Sequence, residues 1–416
     1  MTYNLNLKTL FSLFLIGMIG GCVGIGLTLL IHFLQHLAFN APLDAIIPFR
    51  VMVEEASPLR RVLALLACGL IGGVGWFYIH RYGQPLVDIK TAVQNKDKNL
   101  PFLTTFFHSL LQIITVAMGS PLGREVAPRE MTAAFANQWI NFIQFSDEER
   151  KLLLACASGA GLAAVYNVPL AAMIFILETL LLSWNLSSII AVFICCSTAV
   201  FTMRLGLGDL VQYPIDYSKF NNDFIIWAII AGPIIGIMVW LFDKTTQSLP
   251  KLPKSKPIMI LISIFCFGMI GALSIQYPEI LGNGKAANQL TFTSEINLHY
   301  AVGLFISKWG AVLLAMVAGA YGGRITPSMM LGGALGFITA YCWNMVFPVI
   351  PLSSAAIIAA AVFLGIAQKM PLTSAIFMLE LSRFSPAYFY PICLCFATAM
   401  PTYYAIQQYM MKPSSP

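Results

Sequence analysis

Charge is the scarcest property of this chain. Only 10% of its 416 residues are charged, 24 basic against 18 acidic, where a water-facing globular domain carries about 25%. That is too little to cover a soluble surface, and the 58% apolar share points to a surface facing lipid. The net charge of +6 is spread over loops and never gathers into a basic stripe with interleaved aromatics, which argues against nucleic-acid binding. The five histidines show no HExxH spacing and the nine cysteines no CxxC spacing, so neither a metal nor another cofactor is expected. The cysteines lie in or beside apolar runs and read as small packing residues.

What the chain does contain is a series of long apolar runs. They extend from Leu10 to Phe39, Val62 to Ile79, Phe102 to Met118, Leu152 to Trp184, Ile189 to Met203 and Phe224 to Phe242. Others follow at Ile258 to Ile275, Ala301 to Ala318, Met329 to Val349, Ala355 to Ile366 and Ala387 to Tyr404. The first run lacks a basic n-region and a small-residue cleavage site, and it is too long for a signal sequence, so it is predicted to be the first transmembrane helix. Glycines and prolines (Gly119, Pro121, Gly123, Pro128, Pro169, Gly322, Gly323, Pro327, Pro371) cut several runs into pieces shorter than the roughly 20 residues a span needs. Broken helices persist in a bilayer only where protein or a watered cavity satisfies the freed backbone groups, so these breaks point to a transport site.

An internal repeat organises the chain. Pro169 to Glu178 matches Pro371 to Glu380 at six of ten positions, an offset of 202 residues. Gly123-Arg124 recurs as Gly323-Arg324 at an offset of 200, each followed by a proline, Pro128 and Pro327. Gly83 finds counterparts in Gly282 and Gly284. The halves are taken as 1–205 and 224–416, joined by 206–223. Arg81, Lys90, Lys96 and Lys98 surround the first glycine landmark, whereas its counterpart has Glu279 and Lys285. By the positive-inside rule the first is cytoplasmic and the second external, and Lys244, Lys251, Lys254 and Lys256 mark another cytoplasmic loop. The repeats are therefore inverted, an arrangement that places a substrate site near the midplane between the halves.

Residues 118 to 128, Met-Gly-Ser-Pro-Leu-Gly-Arg-Glu-Val-Ala-Pro, put Arg124 and Glu125 between two apolar helices. A charge at that depth costs roughly 2.5 to 3.5 kcal/mol. Two readings are open. The pair is an interfacial anchor or helix-end ion pair, or a helix starts here and its free amide N–H groups face an anion. In the second reading Glu125 is a tethered competing anion that protonation releases. Ala-Tyr-Gly-Gly-Arg-Ile-Thr-Pro-Ser, residues 320 to 328, repeats the chemistry without a carboxylate. A membrane-embedded enzyme built on Glu125, Arg129 and Glu130 is disfavoured, because no nucleophile–base set accompanies them.

These motifs resemble those of the CLC chloride channels and proton-coupled chloride antiporters. Gly123 to Pro128 is similar to that family's Gly-Lys/Arg-Glu-Gly-Pro motif, Gly322 to Pro327 to its Gly-x-Phe-x-Pro motif, and Gly161 to Glu178 and Pro371 to Glu380 to two further signatures. The resemblance covers the whole membrane region and implies an all-α integral membrane protein of two inverted-topology repeats with tilted and broken helices. It implies a homodimer with one anion pathway per subunit and no cytoplasmic regulatory domain, in a bacterial inner membrane. Carried over by position, Glu125 is the gating glutamate and outer proton acceptor. The resemblance also makes Gly123, Arg124, Gly323, Arg324 and Ile325 anion-binding, the last two through their backbone amides. Gln84 stands where the family's selectivity serine does, with Pro85 in place of glycine, and Tyr388 stands near the place of the inner-gate tyrosine. The inner proton path maps to Glu178 and Thr179, with threonine where the well-known antiporters have their proton-transfer glutamate. Proton-coupled chloride exchange is the expected activity. A passive channel for chloride, fluoride or nitrate is the alternative, and a carrier for another small anion is the more distant one.

Overall fold

A computed structural model describes residues 5–42, 47–213, 220–250 and 252–411. Lys251 and residues 214–219 of the expected linker lie outside the described residues. Among the described residues the chain forms seventeen α-helices and no strand. The first half comprises α1 (Leu7–Phe39), α2 (Phe49–Glu55), α3 (Pro58–Tyr82), α4 (Ile89–Gln94), α5 (Phe102–Ala117), α6 (Val126–Ile143), α7 (Asp147–Tyr166), α8 (Pro169–Phe175) and α9 (Leu186–Leu207). The second comprises α10 (Asn222–Gln247), α11 (Ile258–Gln276), α12 (Lys285–Thr293), α13 (Leu298–Val317), α14 (Ile325–Asn344), α15 (Leu352–Ala367), α16 (Pro371–Ser382) and α17 (Phe389–Met411). Among the described residues, eight helices are long and apolar enough to cross a membrane, and α5, α15 and α16 are shorter apolar pieces.

Helix contacts in lipid gain nothing from hydrophobicity and rely on close backbone approach at small residues. Both halves use that device at a spacing of four. On α1, Gly17 and Gly21 meet Thr198 and Thr202 of α9, while Gly20 and Gly24 meet Ala160 and Ala164 of α7. On α10, Gly232 and Gly236 meet α17, and on α14, Gly332 and Gly336 meet α15. A Cβ at any of these positions would overlap its neighbour, so the pairs depend on glycine.

The long apolar run at Leu152 to Trp184 is two helices, not one. Asn167 takes a left-handed conformation (φ 60°), closes α7, and Pro169 starts α8 in its first turn. In the other half Lys369 (φ 55°) and Pro371 divide α15 from α16 in the same way. The π turn Ile176–Leu181 then prolongs α8.

The charged loop residues gather in separate groups. Lys254 lies over the ring of Tyr321, which bonds His80 near the end of α3, and Lys96 pairs with Asp147 at the start of α7. Arg50 with Glu54 and Glu295, and Tyr300 with Glu279, form separate clusters around α2 and the start of α13.

Candidate functional site

The two halves meet where their glycine breaks touch. Gly123 N–H donates to the Gly323 carbonyl at 2.6 Å and Gly323 N–H donates to the Gly123 carbonyl at 2.8 Å, an antiparallel bridge. Four residues before each member stands a glycine at positive φ, Gly119 at 111° and Gly319 at 73°, which turns the chain into the crossing. Because the two segments run antiparallel, α6 and α14 leave the bridge in opposite directions with their N-termini at the crossing. The first N–H groups of a helix have no partner within it, and they carry the positive end of the macrodipole.

Glu125 fills this position. Its side chain is fully buried and folds across the bridge to the other half. Oε1 accepts from the Ile325 amide at 2.7 Å, and Oε2 accepts from the Tyr166 hydroxyl at 3.1 Å. Thr326 Oγ1 lies 3.5 Å from Oε2 and 2.7 Å from the Tyr166 hydroxyl, so it holds that tyrosine in place. A Cβ on Gly123 or on Gly323 would collide with the carboxylate. The glycines thus leave room for one small anionic group between the halves.

Cavities lie on either side. The outer one, about 270 Å³, is lined by Arg124, His32, Gln212, Asn283 and Lys285. Arg124 is buried there, with Nη2 3.4 Å from the Val165 carbonyl and 3.5 Å from Gln212 Oε1, which Lys285 also reaches at 3.0 Å. The inner one, about 340 Å³, is lined by Glu125, Arg129, Arg324, Lys90, Lys369 and Thr179 among others. Two basic vestibules therefore approach one buried carboxylate.

Gly123, Gly323, Glu125 and Ile325 meet at the crossing, while Arg124 lines the outer cavity and Arg324 the inner one. Gln84 does not join them. It is exposed, its backbone N–H donates to Thr104 Oγ1 at 3.1 Å, and it lies in an apolar groove with Tyr78, Tyr82, Phe102 and Phe107. Asp88, not Gln84, caps α4, so it is Lys90 at the start of that helix that lines the inner cavity. Tyr388 is also elsewhere. Its hydroxyl lies 2.9 Å from Ser354 Oγ and its ring packs on Phe220, Phe224 and Phe384. Gly336 of α14 meets Ala355 and Ala356 of α15, which puts Ser354 roughly 17 Å along α14 from Ile325 at 1.5 Å per residue.

Glu178 and Thr179 do line the inner cavity, but both side chains are engaged in holding helices. Glu178 accepts from the amides of Leu372 at 3.1 Å and Thr373 at 2.8 Å, and from the Thr373 hydroxyl, at the start of α16. Glu380 accepts in turn from Leu170 at 3.1 Å and Ala171 at 2.8 Å, at the start of α8. Each half caps a helix of the other. Thr179 donates to the carbonyl of Phe175 at 2.6 Å. Sequence reasoning assigned no role to Tyr166 and Thr326, although both lie inside the quoted motifs; nothing in a motif's spelling tells that they converge on one oxygen.

A sequence model of the family described as voltage gated chloride channel matches residues 68–402. The protein called voltage-gated ClC-type chloride channel ClcB is 30% identical over 302 residues in Citrobacter koseri, covering 70% of this chain and 71% of that protein. Its Escherichia coli O9:H4 counterpart is 29% identical over 304 residues, with the same coverage. Among solved structures, a slow cyanobacterial Cl⁻/H⁺ antiporter superposes with a TM-score of 0.82 at 18% identity, over 99% of this chain and 100% of its own. A CLC-type fluoride/proton antiporter gives 0.76 at 18% identity, over 98% and 99%. With its broken helices, its glycine crossing and a match over most of its length, this chain belongs to the voltage-gated chloride channel family, the CLC proteins.

Proposed function

We propose that this protein exchanges chloride for protons across a bacterial inner membrane, as a homodimer with one pathway per subunit. One observation carries the reading: the Glu125 carboxylate accepts the Ile325 amide at the start of α14, the position a small anion would take. Anion and carboxylate compete for one electropositive site, so a proton on Glu125 vacates it and favours anion entry. The carboxylate then carries a proton in one direction as the anion moves in the other. The basic residues Lys90, Arg324 and Lys369 raise the local anion concentration at the inner mouth. The halves are residues 1–205 and 224–416, and the pathway lies between them.

Passive conduction is the second reading. It is favoured by Thr179, whose hydroxyl is engaged by its own helix and has no acid to offer. One experiment separates the two. Purified protein in liposomes, given a chloride gradient, drives protons uphill if it exchanges, and Glu125→Gln stops proton movement while chloride still passes. Chloride flux without any proton movement in the unaltered protein makes it a channel, and proton flux undiminished in Glu125→Gln removes Glu125 from the mechanism.

A further inference from the structure

Proton exchange requires a route between Glu125 and the cytoplasm, and the position where the resemblance seeks its inner acid holds Thr179. A different set of titratable groups lies between the inner cavity and the cytoplasmic end of α3. Val126 lines the inner cavity, and Glu130 follows it by one turn on the same face of α6. Glu130 Oε2 lies 3.0 Å from His108 Nδ1 and accepts from Gln112 Nε2 at 2.9 Å. The His108 ring meets the ring of Tyr321 edge-on, with centroids 4.5 Å apart. The Tyr321 hydroxyl lies 2.9 Å from His80 Nε2, and His80 is partly exposed near the end of α3. Lys254 Nζ stands 3.6 Å from the Tyr321 ring centroid at the mouth, and Arg129 is the cation that acts on Glu130 as well as on Glu125.

We infer that Glu130, His108, Tyr321 and His80 form the inner proton route of this protein, connecting the cavity below Glu125 to the cytoplasm without residue 179. The inference rests on the proton-coupled reading above. Two observations separate it from a merely structural polar pair. Ionisable groups at membrane depth are costly and usually functional, and here the His108 side chain is only 3% exposed and that of Glu130 15%. In addition, His108 Nε2 and Gln112 Oε1 are buried without a partner, a costly state when the pair has no further use. In the outward-to-inward direction the proton passes from the Glu125 carboxyl through water in the inner cavity to the Glu130 carboxylate. It moves on to His108 Nδ1, and the imidazolium loses its other proton from Nε2 toward the Tyr321–His80 pair. Rotation of the ring or one water bridges that last contact, and His80 delivers the proton to solvent. Each step moves one proton between named groups; the transfer leaves His108 as its other tautomer, protonated on Nδ1, and a flip of the ring resets it before the next proton.

The test measures proton and chloride movement separately in liposomes holding the full-length protein. Glu130→Gln is expected to lower proton flux at least tenfold while chloride flux persists, and Glu130→Asp, which keeps an acid, is expected to retain most of it. His80→Phe, at the partly exposed end and able to keep the ring stacking, is expected to lower proton flux as well. Proton flux unchanged in Glu130→Gln overturns the route, and so does a parallel loss of both fluxes in Glu130→Gln and Glu130→Asp, which makes Glu130 structural. When the unaltered protein couples and Glu125→Gln uncouples it, these results overturn the route alone. Absence of proton flux in the unaltered protein overturns the exchange reading and the route with it.

Discussion

Replacing Glu125 by alanine removes the carboxylate from the donor pocket at the start of α14 and leaves the pocket itself intact. The side chain is held by the Ile325 amide and the Tyr166 hydroxyl. Hydrogen bonds to a charged acceptor contribute about 1.5–3 kcal/mol each, so at the low end the two together stabilise the occupied state by about 3 kcal/mol. Ordering the glutamate side chain costs about 1.5–2 kcal/mol. The occupied state is then favoured by about 1–1.5 kcal/mol, and by about 3 kcal/mol where the ordering cost is small. An anion that needs the empty site binds with its intrinsic affinity reduced by the empty fraction, and 1.4 kcal/mol corresponds to a factor of ten. Glu125→Ala should therefore tighten apparent chloride affinity by about tenfold to about a hundredfold at neutral pH, read by calorimetry in detergent. The sign of the pH dependence follows: acid protonates Glu125 and empties the site, so affinity in the unaltered protein rises as pH falls, while the alanine variant is insensitive. Equal affinities for the two proteins across the pH range would refute the competition.

Other consequences concern the residues that brace the two halves. Glu178→Gln and Glu380→Gln each weaken a cap made across the interface between halves, and each is expected to lower stability by about 1–2 kcal/mol, read as a lowered thermal midpoint, without changing the proton-to-chloride ratio. A changed ratio in Glu178→Gln would make it a proton carrier. Thr179→Val removes a hydroxyl that bonds only its own helix turn and should leave the ratio unchanged in the same flux assay.

Much of this architecture is legible in the sequence because the signals are physical. The apolar runs locate most of the long helices, and the repeated glycines locate the crossing, since no other residue permits carbonyl and amide of two segments of the chain to approach beside a carboxylate. Helix α6 escapes a search for apolar runs because Arg129, Glu130 and Asn137 interrupt it, and polar residues on a buried helix are visible as such only when their partners on α5 and α7 are known. The pairing of Glu178 and Glu380 is hidden for a related reason. The repeat shows that both acids exist, but that each caps the other half's helix depends on an interface formed by residues some two hundred positions apart. Gln84 and Tyr388 are placed by alignment with motifs. An extended segment before α4 and the depth at which α15 packs on α14 decide where those side chains go, and neither is encoded in local spelling.

On this reading one small site between the halves holds either a carboxylate or a halide. Bromide carries an anomalous scattering signal, so a crystal structure of Glu125→Gln grown in bromide tests this directly. A bromide peak is expected within hydrogen-bonding distance of the Ile325 amide, between Gly123 and Gly323, where the carboxylate of Glu125 lies in the unaltered protein. A crossing without bromide, with the ion bound only in the outer or inner cavity, would contradict it.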